Sequence, residues 1–337
     1  MLIANTAPYK EKIREFNVRL GISSAEGVHL GTYYPNETLS KVTIESSAPA
    51  GKFFGYAISK KMTAELLEKQ LPAGTTAIRL SSYIEGHKDT TQVNTLSFDI
   101  ETIEYSETGK KITVTAYDII HKAESILLKD IAPITFPITL EQYAEKIVVA
   151  LAGNKNYFKA DFEGVNPTIT AVNFDGSENL RTVLAAIAEA TGTICYSTGG
   201  NYIKFRALDN AINDLLDPSC YFEFKTQDSV TLTQIVSATD LGDNYSSGEE
   251  GRSQVLWNNP FLTLRDDIQD LLNAIAARVV GLTFVPYSLK SRGIPAYEPG
   301  DRLGIVNIDG VTKPIYFTGE TLTFNGGFVS TSEWVDA

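Results

Sequence analysis

The sequence predicts an α+β chain of several domains, β-rich at both ends. Three observations carry this. Its 337 residues exceed one ordinary domain. Short runs of alternating apolar and polar residues, bounded by turn residues, fill the first and last thirds. Amphipathic helical stretches cluster between them, without the regular β–α alternation of a doubly wound sheet.

In chain order, Ile13–Leu20 and Lys41–Glu45 alternate as strands do. Thr95–Tyr105, the turn Ser106–Lys110 (SETGK) and Lys111–Tyr117 form the plainest hairpin. In Thr95–Tyr105 the residues Leu96, Phe98, Ile100 and either Thr102 or Ile103 share a buried face, while Asp99, Glu101 and Glu104 face water. A helix is expected over Asp118–Leu128 with Asp118 as N-cap. A second is expected over Thr139–Leu151, where Thr139 and Gln142 match a capping box and Gly153 ends the helix. A third spans Ser177–Thr191, with Ser177 as N-cap and Gly192 as terminator, and runs into the hairpin Thr193–Tyr196 and Tyr202–Arg206.

Thr239–Arg252 is polar, acidic and Gly-rich and reads as an exposed loop. A last helix covers Thr263–Val279, its apolar positions including Leu264, and Gly281 closes it. The tail returns to strands: Arg302–Ile308, an Asp-Gly turn, Pro314–Thr318, Thr321–Phe324, an Asn-Gly-Gly turn, and Phe328–Ser332.

Composition narrows the function. Hydrophobic residues are 43% and aromatics 10%, enough for packed cores. Mean hydropathy is −0.07, and no apolar run reaches the 18 or so residues of a membrane span. The start, MLIANTAPYKEKIREF, lacks the pattern of a secretory leader. Twenty-nine basic against 41 acidic residues give −12, the wrong sign for a protein that wraps nucleic acid through its phosphates. The two cysteines, Cys195 and Cys220, form no CxxC pair and suggest synthesis in a reducing compartment.

The search for chemistry finds little. His29, His87 and His121 fall in no metal motif, and His121 reads as a structural histidine on a helix. Cys195 reads as a buried, inert thiol, and Cys220 has no base beside it. No nucleophile elbow, phosphate loop or dinucleotide fingerprint is present. Asp240, Asp243, Glu249 and Glu250 do not have the spacing of an EF-hand. No catalytic, cofactor-binding or metal-ligating residue is assigned, no cofactor is expected, and the chain is not expected to be an enzyme.

The C-terminal third carries an ordered set of motifs. Trp257–Leu262 (WNNPFL) precedes the last helix and Gly281–Tyr287 (GLTFVPY) follows it. Gly293–Asp301 (GIPAYEPGD) and Phe324–Ser330 (FNGGFVS) come next. Pro295 and Pro299 stiffen the third motif, and Gly300-Asp301 turns the chain into the following strand; Glu298 and Asp301 receive no chemical role. Pro260 biases Asn259 to an extended shape. Trp257 and Phe261 are expected as core anchors, with subunit contact as the alternative.

This order of motifs resembles the tail hub proteins of phages and phage-tail-like particles. Ile112–Glu124, with its strand ending in Ala-Tyr-Asp, and the helix–hairpin unit 178–206 resemble the same proteins, so the likeness runs from about Leu39 to Ser332. The resemblance implies two tube-protein-like antiparallel β-barrel or sandwich domains, at 1–128 and 209–337, with a smaller α/β domain at 129–208 between them. It also implies a homotrimeric ring in the virion tail, built in the bacterial cytoplasm, that matches a sixfold tube to a threefold tip or spike by duplication. Implied partners are the tail tube, distal tail proteins, the spike or tip and the tape measure protein, with DNA only in transit and no membrane insertion. Rival readings are a tail-associated cell-wall hydrolase and a receptor- or carbohydrate-binding module. The chain stops at Ala337, soon after FNGGFVSTSEW, so an appended hydrolase is not expected.

Overall fold

The computed structural model describes residues 6–11, 15–35, 37–85, 87–88, 92–95, 97–153, 159–199, 202–240, 242, 244–263 and 265–336. The described residues are mostly β, 42% strand against 17% helix. Its centre is a twelve-strand sheet, antiparallel at every pairing. Across it run Tyr221–Thr226, Tyr287–Arg292, Phe328–Trp334, Thr321–Phe324, Leu39–Ser46, Lys60–Leu66, Ile112–Tyr117, Phe98–Tyr105, Ala77–Ile84, Phe16–Ser23 and His29–Tyr33, with Val93–Asn94 beside Ala77–Ile84. Strands from both end thirds therefore share one sheet. They join where Leu322 lies opposite Ile44 and Phe324 opposite Val42.

The alternation seen in the sequence places the core. Met62, Ala64 and Leu66 face Ala116, Val114 and Ile112 across one ladder, and Leu20 and Ile22 face Leu80 and Ile78 across another. All ten are buried in one cluster with Leu322, Phe324 and Phe328. Strands far apart in sheet order thus line the same interior, so the sheet curls. Phe16 and Phe328, from opposite halves of that order, meet edge to face with ring centroids 4.9 Å apart. In the Phe98–Tyr105 strand a bulge falls between Ile100 and Thr102. The extra residue shifts the alternation by one. Ile103, not Thr102, therefore packs on the core with Phe98 and Ile100; Leu96 lies outside the described residues.

A second cluster forms around the helices. Helix α1, Ile119–Lys122, is shorter than the Asp118–Leu128 pattern suggests. Asp118 caps it by accepting from the His121 N–H at 3.0 Å. A 3₁₀ turn over Ala123–Ser125 follows, and then the backbone is captured from outside. The Ile126 carbonyl accepts from Leu180 N–H, and Leu128 N–H donates to Glu178. Helix α2, Leu140–Ala152, has the expected Thr139–Gln142 capping box. Helix α3, Leu180–Thr191, is capped by Asn179 rather than Ser177, because the Asn179 carboxamide oxygen accepts from Thr182 N–H at 2.9 Å.

Gly192 then turns in the left-handed region at φ 68° and leads into the hairpin Thr193–Ser197 and Tyr202–Ala207. Helix α4 runs from Ile268 to Val279, not from Thr263. The Asn259 carbonyl takes the N–H groups of both Leu262 and Thr263, closing a separate turn before the helix; Leu264 is outside the described residues.

Two more expectations are corrected. Thr239–Arg252 is not simply a loop: Asn244–Gly248 is a strand antiparallel to Gln234–Ala238. It lies against α4, where Ser247 Oγ donates to Asn273 Oδ1 at 2.8 Å and the Ser246 carbonyl accepts from Gln269 Nε2 at 3.0 Å. The first strand is Phe16–Ser23 instead of Ile13–Leu20, set by an eight-residue ladder against Ala77–Ile84; Ile13 lies outside the described residues. No described helix is long and apolar enough to cross a membrane.

Candidate functional site

The residue types that carry most enzyme chemistry are dispersed. His29 is exposed at the start of the strand His29–Tyr33, beside Thr32. His121 stacks on Tyr117 at 4.0 Å and lies 3.5 Å from Glu124. Cys195 and Cys220 are buried, and burial pushes both thiols above their ordinary pKa, away from the reactive thiolate. Among the described residues no three His, Cys, Asp or Glu side chains gather to hold a metal. Asp240 accepts from Asn258, Glu249 and Glu250 are exposed, and Asp243 is outside the described residues.

The WNNPFL motif splits its two aromatics. Phe261 is 1% exposed and meets Tyr143 and Phe174 edge to face, both at 5.2 Å. Trp257 is 58% exposed. It ends the strand Ser253–Trp257, opposite Ala238 in a three-strand sheet, with Val255 outward on the same strand. Of the two core anchors expected, Trp257 is therefore a surface residue. Asn259 between them reaches inward, donating to Glu189 Oε2 at 2.9 Å and to the Ala186 carbonyl at 3.0 Å.

A second apolar surface lies on the strands Asp214–Leu216, Arg302–Val306 and Thr312–Tyr316. Leu215 lies opposite Gly304, and Gly304 has no side chain to separate Ile212, Leu215 and Thr312, which close over it. In the turn that joins the last two of these strands, Ile308 is 87% exposed and Val311 is exposed as well.

The GIPAYEPGD motif builds the joint between the hairpin and the three-strand sheet that Arg302–Val306 enters. Asp301 uses both carboxylate oxygens: one takes Arg206 Nη2 at 2.9 Å, the other the Glu298 N–H at 2.8 Å. Arg206 Nη1 donates to the Pro299 carbonyl at 3.2 Å. Gly300 turns there at φ 87°, so close to Ile194, Arg206 and Leu208 that a Cβ would stand 3.0–3.1 Å from each. The structural-turn reading of this motif stands.

Beside the turn, Tyr196 Oη donates to Glu298 Oε2 at 3.2 Å. Lys60 Nζ donates to the Ser197 carbonyl at 2.9 Å, and the Ser197 hydroxyl donates to Asp118 Oδ2 at 2.5 Å. Burial lowers the Lys60 pKa, although Glu298, Asp118 and Glu320 pull it back up. Burial raises Asp118, and it pushes Glu320 up to about 7. Glu320 accepts from the Ser330 hydroxyl.

Lys60, Glu298 and Glu320 border a cavity of about 310 Å³ between the strand junction and the Pro295–Pro299 loop. The sequence did not single out Lys60 or Glu320. Lys60 begins an alternating strand and looks like a solvent-facing lysine. The signal that was present is Glu298, an acid between two prolines.

No protein-family model matches the sequence, and no curated protein does. Solved structures do match. The tail protein from Neisseria meningitidis MC58 superposes with a TM-score of 0.60 at 10% identity, over 94% of this chain and 95% of that one. The chain has a phage tail-protein fold. The 43 kDa tail protein of prophage MuSo2 from Shewanella oneidensis matches with a TM-score of 0.53 at 10% identity, over 96% of this chain and 97% of the other. Prophage tail protein gp18 from Listeria monocytogenes EGD-e gives 0.54 at 11% identity, over 94% of each chain. The tail-protein fold here is thus matched along nearly the whole chain, without detectable sequence kinship.

Proposed function

We propose that this chain is a structural hub of a tail tip or baseplate, and not an enzyme. The observation that carries the proposal is the end-to-end match to tail proteins, 94–96% of this chain. The two exposed apolar surfaces agree with it, since a subunit of an assembly must keep contact faces open. In this reading three copies form a ring, each supplying the β-rich segments 1–128 and 209–337, joined edge to edge in the central sheet, around the 129–208 unit. The ring then presents six similar modules to a sixfold tube and three to a tip or spike. Distal tail and tape measure proteins are neighbours within the virion tail, and DNA passes through. If acids among the net −12 of each copy line the bore, they repel the DNA phosphates; a basic bore would refute this part of the reading.

The test is the assembled state. The chain is mixed with tail tube protein, its mass is measured by light scattering, and the particles are imaged. A threefold ring seated on the tube is expected. A chain that stays monomeric beside the tube protein and is missing from tail tips overturns the proposal. Clearing of peptidoglycan by the isolated chain overturns its non-enzymatic part.

A further inference from the structure

The cavity at the strand junction has no part in the assembly reading. At about 310 Å³ it stands at the lower end of small-molecule pockets, which run from about 300 to 1,000 Å³. Its lining divides by chemistry. Ile44, Phe98, Phe317 and Leu322 make an apolar wall, while Lys60, Glu298 and Glu320 bring charge.

The polar groups are only partly used. Lys60 gives one of its three ammonium protons to Ser197. Glu298 and Glu320 each receive a hydroxyl on Oε2, from Tyr196 and Ser330. Among the described residues, no hydrogen bond reaches the Oε1 of either carboxylate, and no ion pair within 4.0 Å joins either to Lys60. Above about pH 7, where Glu320 has released its proton, two carboxylates thus border the space against one ammonium, and that ammonium also feels Asp118 behind it.

A bound group that balances this wall carries positive charge and several N–H donors. The apolar wall asks for a hydrocarbon body. We propose that the cavity binds a primary alkylamine in its ammonium form, head group on Glu298 and Glu320, chain against Ile44, Phe98 and Leu322. The ligand would touch Leu39–Ser46, Thr321–Phe324 and the Pro295–Pro299 loop together. It would therefore stabilise the junction of the two ends of the chain, by mass action on the folded state.

The probe is n-hexylamine, with hexan-1-ol and hexanoate as matched controls of the same chain length. At pH 8, where Glu320 is ionised and the amine is still an ammonium ion, the full chain is heated with each at increasing concentration, and binding is titrated by calorimetry. The expected result is a saturable rise in Tm and saturable heat with hexylamine alone. Glu298→Gln should weaken that binding at least tenfold, and Ala296→Leu, which adds bulk to the lining, should abolish it. The proposal is overturned by a wild-type response to hexanoate or hexan-1-ol equal to that for the amine, or by no saturable response to the amine. Both outcomes are read on the wild-type protein, so neither depends on a variant folding. Neither bears on the tail-hub reading, which fails or stands on the ring.

Discussion

Arg206 and Asp301, 95 residues apart, form a buried ion pair at 2.9 Å that fastens the Tyr202–Ala207 strand to the turn entering Arg302–Val306. Both side chains have their remaining needs met nearby, Asp301 by the Glu298 N–H and Arg206 by the Pro299 carbonyl. Removing one partner leaves an uncompensated buried charge, which costs roughly 3–5 kcal/mol. Asp301→Ala should lose about that much in urea unfolding. The double variant Arg206→Met with Asp301→Ala should be less destabilised than the sum of the singles. Additive losses would show that the pair is not coupled.

Glu320 sets a pH dependence. Its pKa is about 7 in the folded chain against an ordinary 4.5, raised by burial and opposed by Ser330 and Lys60. Between those values the native state holds a proton that the unfolded chain has released. Stability from this group is therefore highest below about pH 4.5 and is lost as pH rises toward 7. The slope is at most about 1.4 kcal/mol per pH unit. Glu320→Gln keeps a neutral partner for Ser330. Relative to wild type it should become more stable from pH 5 to 8 and then level off. Parallel stability curves for the two proteins across that range would contradict the assignment.

The WNNPFL aromatics separate stability from assembly. Phe261→Ala should cost about 3–5 kcal/mol, because the ring is enclosed by Tyr143 and Phe174. Trp257→Ala should change stability by no more than about 0.5 kcal/mol, as exposed sites usually do. If Trp257 anchors a subunit or tube contact, the same variant should form fewer rings with tube protein. Unchanged assembly would remove Trp257 from the interface.

Local chemistry was legible in the sequence, and long-range placement was not. Gly109, Gly310 and Gly326 turn at φ 61°, 81° and 75° where SETGK, Asp-Gly and Asn-Gly-Gly mark turns. The Thr139 capping box and the Gly192 terminator are in place for the same reason: each is decided within four residues. The pairing of Thr321–Phe324 with Leu39–Ser46 spans some 280 residues, and no periodicity reports it. It is this pairing that brings Ile44 and Ser46 beside Leu322 and Glu320 and so makes the cavity. Helix α1 was overestimated by the same logic. Its apolar spacing continues past Ser125, but the Gly176–Leu180 segment takes the backbone away. The outward turn of Trp257 was equally invisible, since an apolar residue before a turn reads as core whichever way its strand faces.

Cys195 and Cys220 give a probe of that long-range packing. Both are buried, Cys195 in the hairpin strand beside Ala57 and Cys220 in the turn before Tyr221–Thr226. Burial disfavours the thiolate at each, so neither should react with a thiol reagent such as DTNB until the protein opens. In native buffer labelling should be slow and should show two distinct phases, because the two sites belong to different elements. In denaturant both thiols should label at once. Asp301→Ala should speed the Cys195 phase most, since Arg206 lies opposite Ile194, the residue before Cys195. Equal acceleration of both phases would mean that the hairpin and the C-terminal strands open as one unit, and that the Arg206–Asp301 pair holds the whole fold instead of a joint within it.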